Sequence, residues 1–505
     1  RSVELSRPRG DVSANVTVGL SRPEIVVDFD IGAQGRSVRS ILPSLGPFEL
    51  DDAPFSFKGR GGLRGANLKL DRFNAKVGEA TITARGKLDL QRGGETTDFR
   101  FDLQIPSLAQ LGLLENRRPR QQALAISARL RGDPEEVRID NLVARVGESD
   151  VRGSLKLLKG DVPDLNVELY SDSLRIAPLL EEADADYDAV PEFDDGRVIP
   201  DIEVPFDAMH KMNASVTIDV EELRQEELHL SAVTLRAELR DGAFRLYDAG
   251  FQTGDGWLQA RGALEPADGA GSMTFSAKSE GLTFGYIGLG VGPTTRTGFD
   301  INVAATGTNL RALAASANGA VFLDGRNFTV PNNTFLKRLY GDLLNEILET
   351  INPFKTSDPE TAISCIVLPI EIDHGKLGVN PEALVRTDKL RIVSDASIDL
   401  KTEKLEMSFR TTPRRGITIS AGELLNPFVM VVGTLAAPRL AVDAKGTLIT
   451  GGAAVATGGL SLLARATWDR LVRSRTPCET AAKQGMEALQ DRFAEFPRKT
   501  EAQAR

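Results

Sequence analysis

Few residues in this chain have the chemistry of an active site, and their spacing does not bring them together. His210, His229 and His374 are scattered, without a carboxylate or second imidazole at the spacing of a zinc site or a Ser-His-Asp triad. They read as surface or strand-edge histidines. No Gly-x-x-x-x-Gly-Lys-Ser/Thr phosphate loop occurs, and Gly288-Leu-Gly-Val-Gly292 lacks the strand and helix that a dinucleotide loop requires. Gly459-Leu-Ser-Leu-Leu463 lacks the second glycine of a nucleophile elbow. The carboxylates between Glu181 and Asp207 follow no EF-hand spacing and read as a solvated acidic loop. Cys365 and Cys478 fit no zinc or redox motif. They are either buried or unpaired thiols or, in an oxidising compartment, a long-range disulfide that ties the tail back to the body. The chain therefore reads as a non-enzyme without metal or cofactor.

What the sequence does contain is a recurring pattern. One copy runs from Leu63 through Asn67-Leu-Lys-Leu and Val77-Gly78-Glu79 to Ala84-Arg85-Gly86-Lys87-Leu88. A second runs from Leu130 through Val146-Gly147-Glu148 to Val151-Arg152-Gly153-Ser154-Leu155, and a third from Leu239 through Thr253-Gly254-Asp255 to Ala260-Arg261-Gly262-Ala263-Leu264. Each copy is two or three short strands with apolar residues at every second position and Gly, Asp or Pro at the corners. One face collects Phe99, Phe101, Leu103 and Ile105 while Arg100, Asp102 and Gln104 take the other. Ile25, Val27, Phe29 and Ile31 obey the same parity, as do Leu165, Val167 and Leu169, and Val216, Ile218 and Val220. Ile392 and Ile398 share a face, and Leu405, Met407 and Phe409 share one on the next strand. A single copy cannot bury its apolar face alone, so the copies must stack. The expected fold is mainly β: an elongated, repetitive, curved antiparallel sheet with a few amphipathic helices toward the C-terminus.

With 505 residues the chain exceeds one ordinary core. A net charge of −10 argues against nucleic acid, which demands basic stripes, and against electrostatic docking on anionic lipid. Four regions are expected: repeated β units over 1–180, with a partial first unit; the acidic loop over 181–208; a second β region over 209–445; and a Gly/Ala-rich segment with a polar, peripheral C-terminal helix over 446–505. Pro-Ser-Leu elements near residues 43 and 106, with a counterpart at Ser173-Leu-Arg-Ile-Ala-Pro-Leu-Leu180, read as short helical or turn excursions at the sheet edge. A helix is expected over 334–350, capped by Asn333 or Thr334 and stopped by Pro353, closing a sheet end or lying on a membrane surface. Gly446 to Ala464 carries no charge but is too weakly apolar for a good membrane span. The chain starts inside a repeat-like strand, so any secretion signal or membrane anchor is expected upstream.

The region from about 190 to 480 resembles the C-terminal part of the AsmA family. The residues that carry the resemblance are Arg197-Val-Ile-Pro-Asp-Ile-Glu-Val-Pro-Phe206, the strand from Ala214 to Val220, Asp241-Gly-Ala-Phe-Arg-Leu246 and Asn318-Gly-Ala-Val-Phe-Leu-Asp-Gly325. Later ones are Cys365 through Ile372-Asp-His-Gly-Lys-Leu377, Asp395-Ala-Ser-Ile-Asp-Leu400, Asn426-Pro-Phe428 with Val432-Gly-Thr-Leu-Ala-Ala-Pro438, and Gly458 to Ala464 with Pro477-Cys478. The upstream repeats are similar to the family's body more loosely. This resemblance implies a Gram-negative envelope protein, mostly periplasmic and anchored in the inner membrane by a segment this chain lacks. It implies an apolar β-groove that carries phospholipid or another acyl-chain lipid between membranes or supports outer-membrane assembly, with outer-membrane or other envelope proteins as further partners.

In such a groove the residues facing the lipid would be Ile25, Val27, Phe29, Phe99, Phe101, Leu103, Leu165, Val167, Leu169, Val216, Ile218, Ile392, Ile398, Leu405, Met407 and Phe409. An acyl chain of roughly 16 carbons crossing bare water would cost about 13 kcal/mol, at ~0.8 kcal/mol per CH₂. Alternating Ile, Val, Leu and Phe offset most of that without fixing the chain in place. Periodicity alone fits equally well a closed sandwich or rod in which these faces cover one another, or a scaffold that binds client proteins along an open strand edge.

Overall fold

The fold is seen in a computed structural model. It describes residues 2–7, 10–21, 24–40, 44–45, 48–49, 52–89, 96–111, 113–114, 121–175, 196–225, 228–254, 256–267, 269–283, 296–331, 360–387, 390–413, 428–441 and 476–494. The expected helix over 334–350, most of the acidic loop and the segment from Gly446 to Ala464 lie outside the described residues.

The chain divides into two compact units, Arg1–Asp186 with Ala208–Gly242, and Tyr187–Asp207 with Ala243–Arg505. This division differs from the expected one: it falls after Gly242 and not at the acidic stretch, and residues 187–207 go with the second unit.

The first unit is a sheet of consecutive strands: β1 (Ser2–Arg7), β2 (Gly10–Ser21), β3 (Glu24–Gly35), β4 (Phe55–Arg64), β5 (Asn67–Val77), β6 (Ala80–Asp89) and β7 (Thr97–Ile105). It continues with β8 (Leu124–Gly132), β9 (Glu136–Val146), β10 (Ser149–Leu158), β11 (Asp164–Arg175), β12 (Asn213–Gln225) and β13 (Leu228–Arg240). Neighbours in the chain are neighbours in the sheet and pair antiparallel, with one exception. β11 and β12 run parallel, Asp164 opposite Asn213 through Arg175 opposite Arg224. A parallel pair needs a connection of a dozen residues or more, and the chain between Arg175 and Asn213 is long enough for one. The excursions after β3 and β7 contain short 3₁₀ turns, Val38–Ser40 and Leu108–Leu111, with Val38 and Leu108 buried. The chain beyond them pairs in a small separate sheet, Leu113 opposite Glu49 and Leu114 opposite Phe48.

The sequence copies are hairpins. β5–β6 and β9–β10 turn through Gly78-Glu79 and Gly147-Glu148, each glycine at φ near +58. In both, the register slips beside the glycine of the Arg-Gly dipeptide, between Leu70 and Phe73 opposite Arg85 and between Ile139 and Leu142 opposite Ser154. Such bulges add local twist. The glycines that follow have no room for a side chain. A Cβ on Gly86 would lie 2.5 Å from Phe99 Cδ1 and 2.7 Å from Phe99 Cα, and one on Gly153 would meet the backbone of Glu168 and Leu169.

The second unit repeats the hairpin with β14 (Ala243–Thr253) and β15 (Gly256–Ala267), again slipping between Leu246 and Ala249 opposite Arg261-Gly262. Its strands continue as β16 (Ala270–Thr283), β17 (Arg296–Gly307), β18 (Asn318–Pro331), β19 (Glu360–Asp373), β20 (Lys376–Val379), β21 (Ala383–Thr387), β22 (Leu390–Asp399), β23 (Lys404–Pro413), β24 (Phe428–Thr434) and β25 (Pro438–Leu440). Two helices pack on this sheet. α1 (Leu310–Ser316) is capped by Asn309, whose side chain accepts from Ala312 N at 2.7 Å. α2 (Pro477–Ala494) opens with proline at its first position, where the missing N–H has no partner to lose.

α2 overturns the expectation of a peripheral helix. Cys478, Ala481 and Leu489 are buried against Ala320, Phe322, Val367, Leu384 and Val393, with Ala482 and Phe493 alongside. Cys365 and Cys478 form a disulfide, so the tail is tied to β19. Arg492 pairs with Glu371, and Arg326, itself paired with Asp324, donates to Cys478 O at 3.4 Å. The helix looks polar because most of its residues face water, while the stripe at 478, 481, 485 and 489 is narrow and small. A Cβ on Gly485 would lie 2.9 Å from Phe322 Cε2, so the close approach requires glycine there.

Candidate functional site: two one-sided apolar ladders

Strand register turns the alternating side chains into rows. In the first unit one row runs Phe29, Gly61, Leu70, Gly86, Phe99, Leu130, Ile139, Leu155, Val167, Val216, Ala237, each residue directly opposite the next. Beside it lie Ile31, Gly59, Phe73, Ala84, Phe101 and Ala128, and then Ala33, Phe57, Ala75, Ile82, Leu103 and Ile126. Val27 sits opposite Leu63. Leu165 sits between Leu157 and Ala214, and Leu169 between Gly153 and Ile218. The expected lipid-facing residues of this unit therefore fall on one face. Ile25 pairs with Leu20, but its side chain lies outside the described residues.

Aromatic rings fill the spaces the glycines leave. A Cβ on Gly61 would be 2.8 Å from Phe29 Cζ, and one on Gly59 3.5 Å from Phe73 Cδ2; Phe57 and Phe73 stack at 6.1 Å between centroids. From β8 to β13 the same row is aliphatic, so the floor changes character along the unit.

Nothing among the described residues closes this face over. Among the described residues of the first unit, the buried apolar side chains are Val38, Ile105, Leu108, Ala128 and Val220. Val27, Phe29, Phe99, Phe101, Leu103, Leu165, Val167, Leu169, Val216 and Ile218 are all half-buried.

The opposite face is charged and internally paired. Arg129 donates twice to Asp98, at 2.7 and 2.6 Å, and Arg60 to Asp30 at 3.1 and 2.6 Å. Arg131 pairs with Asp140, Arg152 with Asp172, Arg236 with Asp219, and Lys156 with Glu136. The hydrogen bonds from Arg129 hold the Asp98 carboxyl below its ordinary value, against a smaller opposing effect of burial. Such exposed pairs set register and keep this side in water while adding little stability each.

The second unit has an equivalent row: Leu246, Gly262, Phe275, Val303, Gly319, Ile372, Leu377, Ile398, Leu405, Gly433. Met407 lies between Ala396 and Val431, Phe409 between Ser394 and Val429, and Ile392 between Val385 and Thr411. Ile392, Ile398, Met407 and Phe409 are half-buried, and Leu405 is buried. α2 lies on the other face, over Val367, Leu384 and Val393. At the sheet's turn ends Asp399 accepts from Lys401 N and Thr402 N; burial pushes its carboxyl up, but these donors outweigh that and leave it below the ordinary value.

The histidines remain apart: His374 contacts Asp373 at 2.9 Å, His229 lies 3.9 Å from Glu222, and His210 faces Gly242. Among the described residues no group of three or more His, Cys, Asp or Glu is placed to hold a metal ion, and no helix is long and apolar enough to cross a membrane. The turn-and-glycine signature was legible in the sequence; the covering of the row's middle by α1 was not, because it depends on contacts between distant segments. Compared with known proteins, the chain matches no family model and no curated sequence.

Proposed function

We propose that this chain is a non-enzymatic lipid conduit, or part of one, of the Gram-negative envelope, carrying phospholipid along the apolar rows. The observation that supports it is the half-buried state of Phe29, Phe99, Phe101, Val167 and Val216 in one uninterrupted face, with charged pairs on the other. A closed sandwich would bury these side chains. Non-directional packing on rungs ~4.8 Å apart lets an acyl chain move by small steps, each rung shielding it from water as the previous one releases it. The resemblance to the AsmA family adds the setting: periplasmic, held to the inner membrane by an upstream anchor, serving the outer membrane.

Native mass spectrometry with lipid extraction tests this reading. Purified protein should carry phospholipid, and Phe101→Asp and Ile398→Asp should lose it while remaining folded, since both positions are half-exposed. Arg100→Ser, on the charged face, should keep it. A stable wild-type protein that carries and accepts no lipid would overturn the conduit.

A further inference from the structure

The apolar row in the second unit is roofed along one flank, where β17, β18, β19 and β20 reach their ends. α1 and residues 196–206 lie across it: Leu313 and Ala317 are buried with Ala305 and Ile372, and Val204, Met273, Val303, Val321, Ile370 and Leu377 pack around them. The contrast within one row is sharp, Ile372 being 6% exposed and Phe275 37%. The cover is fixed at several points. Glu403, 1% exposed, accepts from Val198 N at 2.7 Å and Ile199 N at 3.1 Å. Arg311 donates to Ile199 O at 2.9 Å, Val204 N to Thr308 O at 2.9 Å and Leu310 N to Ile202 O at 3.0 Å. The segment thus spans from the β22–β23 turn to the end of β17 and acts as a wall.

Resting on the conduit reading, we infer that this wall sets the orientation of lipid on the second unit. Acyl ends abut Leu313, Ala317 and Val204, and the polar head lies toward the opposite strand ends, those of Arg296, Thr387 and Pro413. A methyl end makes no hydrogen bonds and loses nothing against Leu313 and Ile372. A phosphate pressed there would be stripped of water beside apolar side chains, with the nearby backbone donors already engaged by Glu403, Ile202 and Thr308.

Two photoactivatable phosphatidylethanolamines test this on the full chain, one with a diazirine at the acyl terminus and one with it on the head group. After loading and irradiation, labelled peptides are mapped by mass spectrometry. The tail probe should label residues 196–206 and 310–317, and the head-group probe should not. If both probes are retained but the head-group probe labels the wall, or both label it equally, the orientation is wrong and the conduit stands. If neither probe is retained, the conduit reading fails and the orientation with it.

Discussion

Gly86 shows how much one missing side chain decides. Its place opposite Phe99 lets the ring lie across the strand below, and the same device recurs at Gly61 beneath Phe29. Gly86→Val should therefore cost about 1–3 kcal/mol through strain against the β7 backbone, read as a lowered urea midpoint. Asp98 offers a second measurement. Its carboxyl is held below the ordinary 3.8 by Arg129, so the contribution of the pair is present above that value and fades as pH falls through the depressed one. The stability difference between wild type and Asp98→Asn should then be largest at neutral pH and shrink below about pH 4. Equal differences at pH 7 and pH 3 would show that the pair does not act this way. The Arg-Gly-x-Leu repeats are plain in the sequence, but their meaning is not: the pattern shows a period, whereas the reason for the glycine lies on another strand, in the Phe99 ring and backbone beside Gly86 and in the Glu168 and Leu169 backbone beside Gly153.

At the scale of elements, α2 and the Cys365–Cys478 disulfide hold one side of the second unit together. Leu489→Ala should cost about 2–5 kcal/mol, because the side chain is enclosed between helix and sheet. Cys478→Ser opens a loop spanning 113 positions and should cost about 2–5 kcal/mol, with faster proteolysis after residue 476. Combined, the two substitutions should fall short of their sum, since either loosens the same helix. The strands were legible because alternation follows directly from a one-sided sheet. α2 was misread because a helix that docks through Cys478, Ala481, Gly485 and Leu489 needs little hydrophobicity when its partner is flat and close. The parallel pairing of β11 with β12 was hidden for another reason: alternation is the same whichever way a strand runs.

For the molecule as a whole, both rows are built mostly from strands that pair with their neighbours in the chain; in the second unit β19 also pairs with β21 and β20 with β22. The sequence copies are hairpins that each bring their own turn, bulge and close-approach glycine, at 67–89, 136–158 and 243–267. A duplicated copy would thus arrive ready to pair on both edges, and every rung outside it would keep its register. Growth in such a sheet proceeds by whole hairpins, about 10 Å at a time from two strands ~4.8 Å apart. A single added strand would reverse the direction of everything downstream, and among the described pairings the crossover between β11 and β12 is where such an odd step is absorbed. The hairpin is in this sense a ruler's graduation. Tandem duplication can lengthen such a sheet without redesigning a single rung.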